Sequence, residues 1–110
     1  MAKETYKYRL KFVPAAFDEW NALDGSVREK LRKLLKKRLN EPRTPGSELR
    51  GELRDCHKIK LLKDGYRLIY TVQDDVLVVL VLAVDKREDS KAYKAAIGRL
   101  DTPLPNSKKT

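Results

Sequence analysis

Apolar and polar positions alternate between residues 6 and 12, with Tyr6, Tyr8, Leu10 and Phe12 set against Lys7, Arg9 and Lys11. A period of two predicts a half-exposed strand. Pro14 then suits a first helical turn, and Phe17, Trp20 and Leu23 mark the buried face of that helix. Asp24 and Gly25 break it. Ser26 and Glu29 have the spacing of a capping box, and Val27, Leu31, Leu34, Leu35 and Leu39 continue at helical spacing, so a second helix is predicted over 26–40. The tight break makes the two a helical hairpin laid across one face of a sheet. Residues 41–52, with Pro42, Pro45, Gly46 and Gly51, read as a loop. Three strands follow, over 54–62, 66–72 and 76–84. The last is apolar on both sides from Val76 to Leu82 and should be central. Ser90 caps a final helix over 91–100, and 101–110 reads as a flexible tail. The order predicts an α+β domain over 1–100: an N-terminal strand, a helical hairpin, a three-stranded antiparallel meander completing a four-stranded sheet, and a short C-terminal helix. The helices are expected on one face, leaving a concave basic sheet surface on the other.

The hairpin around Asp64 and Gly65 carries the candidate chemistry. Read as a two-residue type I′ turn, it sets Lys58 opposite Thr71, Lys60 opposite Ile69 and Leu62 opposite Arg67. Lys58, Lys60 and Arg67 then share the face that the local pattern leaves uncovered. His57, Ile59, Leu61, Leu68, Tyr70 and Val72 take the packed one. Like charges crowd at a cost, so the cluster points to an anionic ligand. The balance of 25 Lys and Arg against 16 Asp and Glu, a net charge of +9, agrees, and favours nucleic acid. The basic helix around Arg28 to Arg38 reads as a solvated face or as an RNA contact.

Other classes are excluded by what the chain contains. One cysteine allows no internal disulfide and fits a reducing cytoplasm. No signal segment is evident, and no apolar run approaches the ~18 residues of a membrane span. A single His and a single Cys, adjacent at 56 and 57, cannot form a metal cluster, so neither metal nor cofactor is expected. His57 falls on the packed face and reads as a satisfied core residue. A nuclease built here must therefore run on Lys, Arg and Tyr. RNA supplies its own nucleophile, the 2′-hydroxyl. Arg67 and Arg87 offer forked donors for phosphate oxygens, and Lys58, Lys60 or Tyr93, with affinities shifted by neighbouring cations, could take the proton. Arginine is a poor acid, so its safer role is electrostatic help to the leaving group.

Several pieces occur together: Leu49-Arg50-Gly51, the run from Asp55 to Leu61 containing Lys58-Ile59-Lys60, the run Gly65-Tyr66-Arg67, then Lys86-Arg87-Glu88 and Tyr93. In order and near-family spacing over about residues 6–100, this resembles the RelE toxins of bacterial toxin–antitoxin systems. The resemblance implies a RelE-like fold of the microbial ribonuclease type. It implies a cytoplasmic, metal-independent endoribonuclease that enters the A site of the 70S ribosome, against 16S rRNA, and cuts mRNA there to stop translation. A RelB-like antitoxin would neutralise it and would carry any operator-DNA contact of the complex. By position, the resemblance assigns Lys58 and Lys60 to substrate binding and proton removal and Arg67 to transition-state charge. It assigns Arg87 to the leaving group, Tyr93 to stacking or orienting the base, and Arg50 and Lys86 to RNA binding. The chain departs from the pattern at His57, where RelE often has Tyr, and in a segment over 52–55 one residue longer than usual. Two rivals stand beside this reading: a ParE-like toxin that blocks a gyrase without catalysis, and a basic nucleic-acid or ribosome-binding module.

Overall fold

The structure, a computed structural model, describes residues 6–61, 63–86 and 91–100. Pro14 opens the first helix at its N-terminal turn, as its fixed φ favours. The elements run β1 (Arg9–Phe12), α1 (Pro14–Asn21), α2 (Gly25–Arg38), a 3-10 turn (Gly51–Leu53), β2 (Cys56–Leu61), β3 (Tyr66–Gln73), β4 (Val78–Lys86) and α3 (Lys91–Arg99). The sheet order is β1-β4-β3-β2, with β1 parallel to β4 and the β2-β3-β4 meander antiparallel. Apolar on both faces, β4 is central and buried from Val78 to Val84. The predicted α+β architecture is the observed one. No helix among the described residues is long and apolar enough to cross a membrane. The proposed Ser90 cap and the tail over 101–110 lie outside the described residues.

Four local expectations are corrected. Asp24, not Ser26, caps α2: its carboxylate accepts the Ser26 N–H at 3.1 Å, while Glu29 pairs with Arg32. Arg28 instead closes the hairpin of helices, donating to the carbonyls of Trp20, Asn21 and Leu23 near the end of α1. Phe17 is 49% exposed, and Ala16 and Trp20 form the buried face of α1. The β2–β3 register is also displaced by two: Lys58 faces Ile69, Lys60 faces Arg67 and Leu61 faces Tyr66. A type I′ turn needs positive φ at both central residues, and only Gly65 (φ +71°) takes it. Asp64 instead pairs with Lys30 of α2 at 3.0 Å, and the Gly65 N–H closes a wider loop on the Leu61 carbonyl. A shift of two preserves side-chain parity, so the two faces keep their expected members.

The fourth correction concerns the helices, which do not share one face. Phe12 packs its ring against Phe17 and Trp20, and Tyr70 bonds Arg38, which places α1 and α2 over the face of Ile59, Leu68 and Tyr70. Helix α3 lies against β3 and β4 on the opposite face, beside the 3-10 turn. The reason is chemical: Cys56, Ile69 and Ala83 interrupt the polar pattern on that side and are fully buried, with Leu53, Ala92 and Ala96 covered alongside them. The basic surface is thus confined to the end of the sheet that α3 leaves open.

Candidate active site

Strand pairing sets the site. Arg67, on β3, stands between Lys60 on β2 and Asp85 on β4, its direct partners across the sheet. Neighbouring strands lie about 4.8 Å apart, so these side chains form one row. Lys58 lies two residues along β2 on the same face. Tyr93 reaches this row from α3: the Arg67 guanidinium sits over its ring, 4.6 Å from the centroid. The Arg67 Nε is buried without a hydrogen-bond partner. A planar cation laid against an aromatic face is held in one orientation, leaving its fork to meet phosphate oxygens.

The outer edge of β2 extends the cationic surface. A cleft of about 220 Å³ is lined by Arg38, Pro45, Gly46, Ser47, Lys58 and Lys60. Lys58 is fixed at its backbone, donating its N–H to the Ser47 carbonyl at 2.9 Å and accepting from Arg38 Nη1 at 3.2 Å. The same Arg38 nitrogen donates to the Tyr70 hydroxyl, which in turn donates to the Pro42 carbonyl. Arg38 is the lining residue that pattern reading left among seven basic side chains of one helix. Its signal was present: it lies three residues past buried Leu35 and seven past buried Leu31, on the inward stripe.

Other sequence-predicted residues fall elsewhere. Lys86 ends β4 opposite Tyr66 and lines a separate crevice of about 350 Å³ with Glu19, Ala22, Leu23, Val84 and Asp85. Arg50 is exposed at the start of the 3-10 turn that packs on α3. Arg87 lies outside the described residues. His57 is buried, its Nδ1 2.9 Å from the Ser47 hydroxyl and its ring stacked on Tyr70, the core role expected of it. Burial pushes its pKa below the ordinary histidine value; Arg43 and Arg38 act the same way and Glu48 against. Burial likewise lifts the Cys56 thiol to about 11, leaving it without a ready thiolate. Among the described residues, no three His, Cys, Asp or Glu lie together as metal ligands. What remains is a cationic, aromatic-backed row suited to a phosphodiester.

Residues 10–91 match the model of the ParE toxin of type II toxin–antitoxin system, parDE. The mRNA interferase toxin RelE of Escherichia coli K12 is 46% identical over 93 residues, covering 84% of this chain and 97% of that protein. A doubly substituted E. coli RelE in the free state superposes with a TM-score of 0.78 at 45% identity, over 86% of this chain and 98% of that one. The doubly substituted E. coli toxin in complex with a peptide of the antitoxin RelB superposes at 0.71 and 46% identity, over 82% and 94%.

Proposed function

The chain belongs to the ParE toxin family of type II toxin–antitoxin systems, and from that premise we propose that it is a ribosome-dependent endoribonuclease that cuts mRNA in the A site. The observation that carries this reading is the row of Lys60 and Arg67 with Tyr93 stacked beneath. A toxin acting by occlusion alone has no need of a guanidinium held by an aromatic ring beside two lysines. The identity to an mRNA interferase supports the same choice over gyrase binding.

The reaction is transesterification within the RNA. The 2′-oxygen attacks the adjacent phosphorus in line, the bond from phosphorus to the 5′-oxygen breaks, and a 2′,3′-cyclic phosphate and a 5′-hydroxyl result. Lys58 and Lys60 bind the strand, and one of them or Tyr93 takes the 2′-hydroxyl proton. Arg67 stabilises charge on the phosphorane oxygens, and Arg87 assists electrostatically as the departing 5′-oxygen takes a proton from solvent water. Tyr93 orients the base as well as the guanidinium, while Arg50 and Lys86 hold flanking RNA. The ribosome, through 16S rRNA, presents the strand, so the toxin works in the cytoplasm. A RelB-type antitoxin is its neutralising partner, as in the E. coli complex, and would carry any contact of the pair with operator DNA.

Primer extension on a defined mRNA, programmed on 70S ribosomes with an empty A site, tests the proposal. Wild type is expected to cut within the A-site codon, and Arg67→Ala to cut at least about a hundredfold more slowly. Products with 5′-phosphates and 3′-hydroxyls in place of cyclic phosphates and 5′-hydroxyls would overturn the mechanism. No cut by wild type, together with inhibition of gyrase supercoiling, would replace it with the ParE-like reading.

A further inference from the structure

The chemistry proposed above makes no use of Glu19 and Arg99, yet these two join three elements. Glu19 lies near the end of α1 on one side of the sheet, and Arg99 in the last turn of α3 on the other. They meet at the edge of β4 beyond Val81, where the pairing with β1 ends. Arg99 donates from Nη1 and Nη2 to the two carboxylate oxygens of Glu19 at 2.9 and 3.0 Å, fork to fork. Its Nη1 also donates to the Leu82 carbonyl at 2.9 Å, and Glu19 Oε1 accepts the Val84 N–H at 3.0 Å. The pair therefore satisfies backbone groups that β1 is too short to reach. Side-chain exposure of 22% and 25% keeps it partly shielded from water.

Apart from this fork, helix α3 is held by small or half-buried side chains, Tyr93 and Ala95 among them, packed against the core. Its nine residues are too few for a helix stable on its own in water. The side chains that it buries completely, Ala92 and Ala96, contribute one methyl each. Tyr93 precedes Arg99 by six residues, roughly 9 Å along the axis, so a shift of the helix end carries the tyrosine with it. We propose that Glu19 and Arg99 are positioning residues, whose fork seats α3 so that Tyr93 stacks against the Arg67 guanidinium. The consequence for cleavage rests on the ribonuclease reading; the seating does not.

The seating is read by nitrogen-15 NMR of the Arg67 Nε–Hε cross-peak, identified by its loss in Arg67→Lys. The stacked Tyr93 ring shifts this peak, and Tyr93→Leu marks the unstacked position. In Arg99→Ala the peak is expected to move most of the way to that position while amide peaks of residues 70–73 stay in place. Arg99→Lys, which keeps the charge without the fork, should fall between. Glu19→Gln, which keeps an acceptor for Val84, guards against a variant that simply fails to fold. In the ribosome assay, Arg99→Ala should lower kcat by about tenfold or more with KM little changed. It should cost nothing further in a Tyr93→Ala background. A wild-type peak position in Arg99→Ala, or losses that simply multiply with Tyr93→Ala, would overturn the proposal. A wild type that cuts no RNA brings down the ribonuclease reading alone, and the cross-peak then decides the seating in either direction.

Discussion

Single side chains in this protein owe their character to what the fold sets beside them. Asp74 is exposed, yet it accepts both terminal nitrogens of Arg43 at 3.1 and 2.7 Å and the Tyr8 hydroxyl at 2.6 Å. Arg43 first and Tyr8 second hold its carboxyl down at about 2, against an ordinary 3.8. A depressed folded value means that the stabilisation is complete above the unfolded pKa and is lost as pH falls through the folded one. The wild type should therefore melt above Asp74→Asn at pH 5, and the gap should shrink below about pH 4 and close only below about pH 2. A gap independent of pH over that range would show that the charge of Asp74 does not stabilise the fold. Arg38 makes the same point for the site: one basic residue in a cationic helix is distinguished by the Lys58 carbonyl and the Tyr70 hydroxyl. His57 was legible in the sequence, because strand parity alone assigns it to the packed face.

Among the elements, the β2–β3 hairpin shows how a turn can be misjudged and the site still found. Asp64 and Gly65 suggest a two-residue turn, but Lys30 claims the Asp64 carboxylate and the loop widens. Because the register moved by two rather than one, Lys58, Lys60 and Arg67 remained together, and Lys60 became the direct neighbour of Arg67. The β3–β4 turn was also misplaced: β4 starts at Val78, and Leu77 takes φ +54° in the left-handed region. Its N–H bonds the Asp74 carbonyl and its carbonyl takes the Arg9 N–H, and glycine would keep both bonds. Leu77 is 45% exposed, so little packing is lost with its side chain. Leu77→Gly should raise stability by about 0.5–1 kcal/mol in urea denaturation, since glycine meets no steric cost there. A destabilised variant would mean that leucine packing at the turn outweighs its backbone strain. Helix α3 was found in sequence but set on the wrong side, because its alanine face carries no signal of which surface it covers.

At the scale of the whole molecule, the net charge of +9 is spread over many basic side chains, and only a few of them converge. Affinity for a short uncleavable RNA (2′-O-methyl throughout) should fall steeply with salt. Replacing Lys58 and Lys60 by alanine should flatten that slope by about 1.4, two phosphate contacts at roughly 0.7 each. Fluorescence anisotropy across a salt series measures it, and an unchanged slope would place the bound strand elsewhere on the basic surface. The amino-acid order by itself determined the strand and helix inventory, the central place of β4, the cationic face of the hairpin and the core role of His57. All of these follow from local periodicity, which acts through near neighbours in the chain. Tertiary structure alone decided that α3 lies opposite α1 and α2, that Tyr93 stacks on Arg67, and that Glu19 meets Arg99 across 80 residues of chain. Those contacts depend on how far one sheet edge extends and which residues remain to close it, and no local pattern encodes that.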